Sequence, residues 1–295
     1  MIIDVHGHLQ SNDVLNDAGR QFARNLGWPI RSGDDGIHDM DQANIDKMVL
    51  VSVDNELVSS RIGRPMTIPF TQYNDTVARV VAQYPDRYIG FAGIDPRRGG
   101  AAIAELERCV HDLGLRGVKL WQLHGYYPDD PEFYPFYERV QALGIPVLYH
   151  TGKGPPGTYL KYTRPVNVST VATDFPKITF ILAHMGNPWV DEAAVVAQNN
   201  PNVYLDIAGW QNRVIHSPVH LAQALCTAKY RCGIDKVLFG SDWPLCESAL
   251  TLPQWVQAVQ QLETPDVLRQ LGFPDITEHD KKLILGDTAA RLLGI

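Results

Sequence analysis

The chain has 295 residues, 45% of them apolar, and a formal net charge of −7. That length supports a large core, in one α/β domain or two smaller ones. The acidic balance, without any basic block, argues against nucleic acid as a partner, and no apolar run approaches the ~20 residues of a membrane helix.

Four cysteines, Cys109, Cys226, Cys232 and Cys246, form no C-x-x-C pair. Sparse thiols of this kind suit a reducing compartment. The first residues also lack the charged and apolar regions of a signal peptide, so a cytoplasmic protein is expected.

Residues 1–9 read as a strand that ends in His6-Gly7-His8. Residues two apart in a strand share a face, so Asp4, His6 and His8 are expected on one side and Ile3 and Val5 on the other. Two imidazoles so placed can hold a metal ion, although a lone His-x-His is also common in surface loops. A long polar excursion follows at 10–44, carrying Arg20, Phe22, Arg24, Trp28 and Arg31, and is expected as a loop insertion. Seven more short apolar runs then recur at 48–53, 88–94, 117–121, 145–150, 178–184, 203–207 and 237–242. Helical patterns alternate with them at 74–84, 100–113, 131–143, 190–199 and 218–231.

Strands that are apolar on both faces and alternate with helices imply a parallel sheet. Eight such units predict a (β/α)8 TIM-type barrel, as one domain over 1–295. An open doubly wound sheet is the runner-up, but no G-x-G-x-x-G follows the first strand to support it. The excursion at 10–44 and the Gly/Pro-rich segment 152–163 would both lie at the carboxyl ends of the strands, where active sites sit and long loops act as lids. The plainer reading of both is surface decoration. Residues 277–293 predict a last amphipathic helix, capped by Thr277 with Asp280 completing a capping box.

The strand ends carry the chemistry. They offer His6 and His8, then Lys119, His150, His184 and Asp242. Four of the ten histidines fall at these ends, and in a barrel all of them converge on one mouth. Imidazoles with a carboxylate suit Zn²⁺, with Mn²⁺ or Fe²⁺ as alternatives. Arg164 can offer a bidentate fork to a substrate carboxylate, or sit in a surface salt bridge. Trp121, His124, Tyr126 and Trp243 are candidate pocket walls, against plain packing. Asp206 can orient a ligand or bond the backbone. Ser241 lacks a G-x-S-x-G setting for a nucleophile.

Several ordered motifs, Asp4-x-His6-x-His8, Tyr149-His150-Thr151-Gly152, Leu182-Ala183-His184-Met185-Gly186 and Gly240-Ser241-Asp242-Trp243-Pro244, resemble the amidohydrolase superfamily. More narrowly they resemble the amidohydrolase-related (amidohydrolase 2) branch that includes aminocarboxymuconate semialdehyde decarboxylase and γ-resorcylate decarboxylase. Arg116-Gly117-Val118-Lys119-Leu120 and residues 284–292 extend the likeness over nearly the whole chain. The resemblance implies one divalent ion, Zn²⁺ before Mn²⁺, on His6, His8 and His150. Asp242 would be a further ligand or hold the metal's water, and His184 would act beside it as acid/base. It also implies that Lys119 faces the substrate as a cation. The wider superfamily offers an alternative, a two-metal site bridged by carboxylated Lys119. Asp4 is expected behind the ligands as an acceptor for an imidazole N–H.

The expected function is metal-dependent hydrolysis of a small carboxylate-bearing cyclic or aromatic compound, since a metal in such a site lowers the pKa of bound water from ~15.7 toward 7. Lys119, Arg164, Trp121 and Trp243 would contact the substrate. Non-oxidative decarboxylation in the same site is the alternative. More distant are a nuclease resembling the TatD-related deoxyribonucleases and a barrel with a purely structural metal. A homo-oligomer is left open, with 10–44 as either lid or subunit contact.

Overall fold

The computed structural model describes residues 1–57 and 66–295, without the side chain of His124; the pocket role expected of His124 therefore lies outside the described residues. Eight parallel strands run β1 (Ile3–His8), β2 (Lys47–Val51), β3 (Tyr88–Gly93), β4 (Val118–Leu120), β5 (Val147–Tyr149), β6 (Phe180–Leu182), β7 (Val203–Asp206) and β8 (Val237–Leu238). Each pairs with the next in chain order. Val5 N–H donates to the Phe239 carbonyl and Asp242 N–H to that of His6, so the last strand segment closes on the first. The result is the expected TIM-type barrel.

The alternation of apolar residues explains its layers. Val49, Val51, Ile89, Phe91, Leu148, Ile181 and Leu238 fill the barrel interior. Their neighbours, among them Leu50, Val118, Leu120, Val147 and Leu182, pack against the surrounding helices. A strand buried on both faces has no polar alternation to show. Outer helices include α1 (Asp17–Leu26), α2 (Gly33–Ala43), α3 (Phe70–Gln83), α4 (Gly100–His111), α5 (Tyr134–Leu143), α6 (Ser169–Asp174), α7 (Val190–Asn199), α8 (Gln211–Val214), α9 (Pro218–Arg231) and α10 (Leu252–Gln260). No helix among the described residues is long and apolar enough to cross a membrane.

Three expectations are corrected. The excursion at 10–44 is not a loop. Asn16 caps α1 through Gly19 N, and Ser32 with Asp35 forms a capping box on α2. The polar composition misled because these short helices bury only one narrow side each. Second, α3 begins at Phe70, after Pro69, rather than at 74. Third, β1 carries a bulge. Asp4 pairs with Met48 and Gly7 with Leu50, so Val5 and His6 share the space opposite Val49. Such an insertion shifts the facing of everything beyond it. Ile3 and Val5 lie together in the interior cluster, as alternation expects, while Asp4 leaves the face of His6 and His8. The predicted capping box of Thr277 and Asp280 is present.

Candidate metal centre and its cavity

The strand ends bring His6, His8 and Asp242 together. His8 Nε2 lies 3.1 Å and His6 Nε2 3.7 Å from Asp242 Oδ1. Donors around a tetrahedral ion at 2.0–2.1 Å are about 3.3 Å apart, so the spacing fits a single ion. These three form one candidate ligand group; His6 with His184 and Asp206 forms another. Asp206 is already engaged. It accepts from His6 Nδ1 at 2.9 Å and from the backbone N–H groups of His184 and Ala208, so both of its oxygens are already hydrogen-bonded.

His150 stands beside this group. Its Nδ1 lies 3.3 Å from His184 Nε2, and its own Nε2 is buried with no hydrogen-bond partner among the described residues. His184 Nδ1 faces the Ala208 carbonyl at 2.8 Å. A carbonyl only accepts, so Nδ1 of neutral His184 carries the proton and its Nε2 accepts from His150 Nδ1–H. That chain leaves the His150 Nε2 lone pair bare in the interior. An orphaned buried acceptor of this kind fits a cation.

Burial is the first cause of every shift here. It lowers His6, His8 and His150 below the usual imidazole value, most for His6 and His150, where the Lys119 charge and the His184 ring respectively add to it. The rings stay neutral, as metal ligands must be. Asp242 is also raised by burial, but the His8 hydrogen bond and the surrounding imidazoles outweigh it and hold the carboxyl well below the carboxylate range. Burial lowers Lys119 to about 8 against the pull of Asp206 and Asp242. Its Nζ lies 3.1 Å from His6 Nε2.

Two residues at the centre hold strained backbone. His184 has φ 61° and Asp242 φ 58°. Non-glycine residues in the left-handed region cost about 1–3 kcal/mol and persist where surrounding structure fixes them. Here Asp206 and Ala208 hold His184, and the His6 carbonyl holds Asp242 N–H.

Above the centre opens a cavity of about 780 Å³. Its floor includes His8, Lys119, His150, His184 and Asp242; its walls include Phe22 and Trp28 near α1, Trp121 after β4, Pro155 and Leu160 after β5, and Trp189 after β6. The segments 10–44 and 152–163 thus both reach the cavity.

Four expected residues are elsewhere. Tyr126 is buried against Phe133 rather than on the cavity wall. Arg164 is not on the cavity wall: its Nε lies 3.1 and 3.2 Å from the Glu192 carboxylate oxygens, and its guanidinium stacks over Trp189. A nearby carboxylate claims it. Trp243 is fully buried with its Nε1 donating to Asp39; it follows Asp242 but turns outward into the helix layer. Asp4 accepts from Ser241 Oγ and from the backbone N–H groups of Ser241 and His6, not from an imidazole, because the β1 bulge turned it away. Burial raises it to about 7 against those hydrogen bonds. Sequence reading passed over Arg213 and Asn212, which also line the cavity. Their only signal was position after a strand end.

A family model described as Amidohydrolase matches residues 3–295. A 2-amino-3-carboxymuconate-6-semialdehyde decarboxylase of Dictyostelium discoideum is 26% identical, over 93% of this chain and 80% of its own. A γ-resorcylate decarboxylase of a Rhizobium species is 26% identical, over 77% of this chain and 81% of its own. Among solved structures, an uncharacterised TIM-barrel protein from Bordetella bronchiseptica superposes with a TM-score of 0.67 at 26% identity, covering 99% and 98% of the two chains.

Proposed function

The chain belongs to the amidohydrolase family, and we propose that it is a metal-dependent decarboxylase, a carboxy-lyase acting on an aromatic or unsaturated carboxylic acid. The observation that carries this is that three curated relatives, each aligned over three quarters or more of the chain, are decarboxylases by name. It ranks CO₂ release above the hydrolysis expected from the sequence. The cavity supports the same reading, with charged and imidazole groups on its floor and aromatic and proline walls above. Such a site suits a flat ring with an anionic edge.

The residues divide the work as follows. His6, His8 and Asp242 would hold the ion, with the bare Nε2 of His150 as the further donor. Zn²⁺ is the first candidate for imidazole and carboxylate ligands and Mn²⁺ the second. When bound, such an ion supplies positive charge for a carboxylate and a neighbouring substrate oxygen. Lys119 places a second positive charge on the floor. In the reaction the bond between the carboxylate and its carbon breaks, the electron pair stays on that carbon, and a proton takes the place of CO₂. His184, protonated on both nitrogens before the step, supplies the proton from Nε2, since its Nδ1–H is committed to the Ala208 carbonyl, and is left as the neutral ring that accepts from His150. The walls keep bulk water from the carbon while it carries that electron pair.

The test is a panel of hydroxybenzoic and unsaturated carboxylic acids given to metal-loaded protein in D₂O. Release of CO₂ with one deuterium at the vacated carbon is the expected result. Ring opening or ester cleavage without CO₂ would return the function to hydrolysis.

A further inference from the structure

The cavity has a charge opposite to that of the chain. Its described lining holds three fixed cations, Lys119, Lys153 and Arg213, and one carboxylate, Asp242, in a protein of net charge −7. Asp242 is already held by the His8 and His6 imidazoles. Lys119 lies on the floor beside His6. The other two cations stand higher, Lys153 just beyond His150 after β5 and Arg213 in α8 after β7. Strands β5 and β7 flank β6, so these two cations lie on either side of the segment that carries His184.

Arg213 differs from the other arginines of the site region. Arg98 is bound by Asp54, Arg97 by Asp95 and Arg164 by Glu192. The Arg213 side chain makes no ion pair and no hydrogen bond among the described residues; its guanidinium lies 5.9 Å from the centre of the Trp210 ring. Trp210 is buried, and its Nε1 donates to the His184 carbonyl at 3.0 Å. The wall behind Arg213 is therefore fastened to the residue that handles the proton. A planar fork of donors in a partly enclosed cavity, without a carboxylate of its own, matches a carboxylate brought by a ligand.

We propose that Arg213 is a specificity-determining residue that binds a second carboxylate of the substrate, so that the site selects planar dicarboxylates over monocarboxylates. Lys153, exposed at the rim, adds to the positive potential that draws the dianion in. This rests on the decarboxylase reading and deepens it: the carboxylate that leaves is bound on the floor, and the one that stays is bound at Arg213.

The test is equilibrium binding of two probes, benzene-1,3-dicarboxylate and benzoate, to the metal-loaded protein by calorimetry. The dicarboxylate should bind roughly tenfold or more tightly, the value of one charge-assisted contact, and the preference should shrink as salt rises. Arg213→Gln should abolish the preference while leaving benzoate affinity unchanged, and Arg213→Lys should restore part of it. Lys153→Gln should weaken the dicarboxylate less. Equal binding of the two probes by the unmodified protein would overturn the proposal. So would equal loss of both probes in Arg213→Gln with no recovery in Arg213→Lys. These readings do not depend on turnover. A dianion preference lost in Arg213→Gln, with no CO₂ from any acid, would sustain this inference and remove the decarboxylase reading; CO₂ from monocarboxylates with no dianion preference would do the reverse.

Discussion

His6 Nδ1 lies 2.9 Å from Asp206 Oδ2, and both side chains are fully buried. The carboxylate fixes the proton on Nδ1 and leaves Nε2 as the lone pair that faces Asp242 and Lys119. Asp206 also accepts the His184 N–H, so one carboxylate holds both His6 and His184 in place. Asp206→Asn should keep the fold and weaken metal binding roughly 10–100-fold, the usual cost of losing such an orienting group. Competition with a chromogenic chelator measures this, and an unchanged affinity would remove the orienting role.

The two histidines in contact, His150 and His184, are expected to separate by function. His184→Ala should abolish turnover and retain the metal, whereas His150→Ala should lose both. Metal content per chain by elemental analysis, beside activity, distinguishes them. If His184→Ala stripped the ion instead, the two roles would be exchanged.

Gly209 has φ +76°, and a Cβ there would come 3.1 Å from His184 Nδ1. Only glycine adopts this conformation without cost, about 1–2 kcal/mol for other residues. Gly209→Ala should therefore push the His184 ring off the Ala208 carbonyl. The expected result is a kcat reduced tenfold or more, roughly the effect of misplacing a catalytic group by a fraction of an ångström, with metal content unchanged. A kcat within twofold of the parent would show that the ring adapts.

Glu247 carries a pH dependence remote from the centre. Burial first, then the Asp39 charge, raises it from 4.5 to about 7, opposed by Arg31. The folded state thus binds more protons than the unfolded chain between about pH 4.5 and 7, so this group's contribution to stability falls as pH rises through that window. Glu247→Gln should be more stable than the parent at pH 8 and no different in this respect below pH 4.5. Urea unfolding at pH 4 and pH 8 tests the sign.

Much of the architecture is legible in the sequence because it repeats. Each strand is a short run that is apolar on both faces, and each such run sits where β1 to β8 lie. Residues at strand ends need no side-chain detail to be collected at one mouth, so His6, His8, Lys119, His150, His184 and Asp242 could be grouped before any geometry was seen. Helices α7 and α9 matched their patterns from end to end, since their apolar spacing and boundaries agree.

What failed were inferences about where single side chains point. Asp4 was expected beside His6 by period-two alternation, and one bulge in β1 cancelled that. Arg164 and Trp243 stand next to site residues in sequence, yet Glu192 takes the one and the helix layer the other. Arg213 carries no motif, and it becomes a cavity residue only because α8 brings it beside Trp210.

The sequence by itself determined the barrel and the set of groups that meet at its mouth, because hydrophobic period and chain order are local, repeated properties. The hydrogen bonds that take up particular imidazole nitrogens, the carboxylate that accepts from His6 Nδ1, the one that lies beside His6 and His8 Nε2, and the lack of an ion pair at Arg213 among the described residues came only with the tertiary structure. Those depend on contacts between residues far apart in the chain, where a shift of one residue or one nearby opposite charge redirects a side chain.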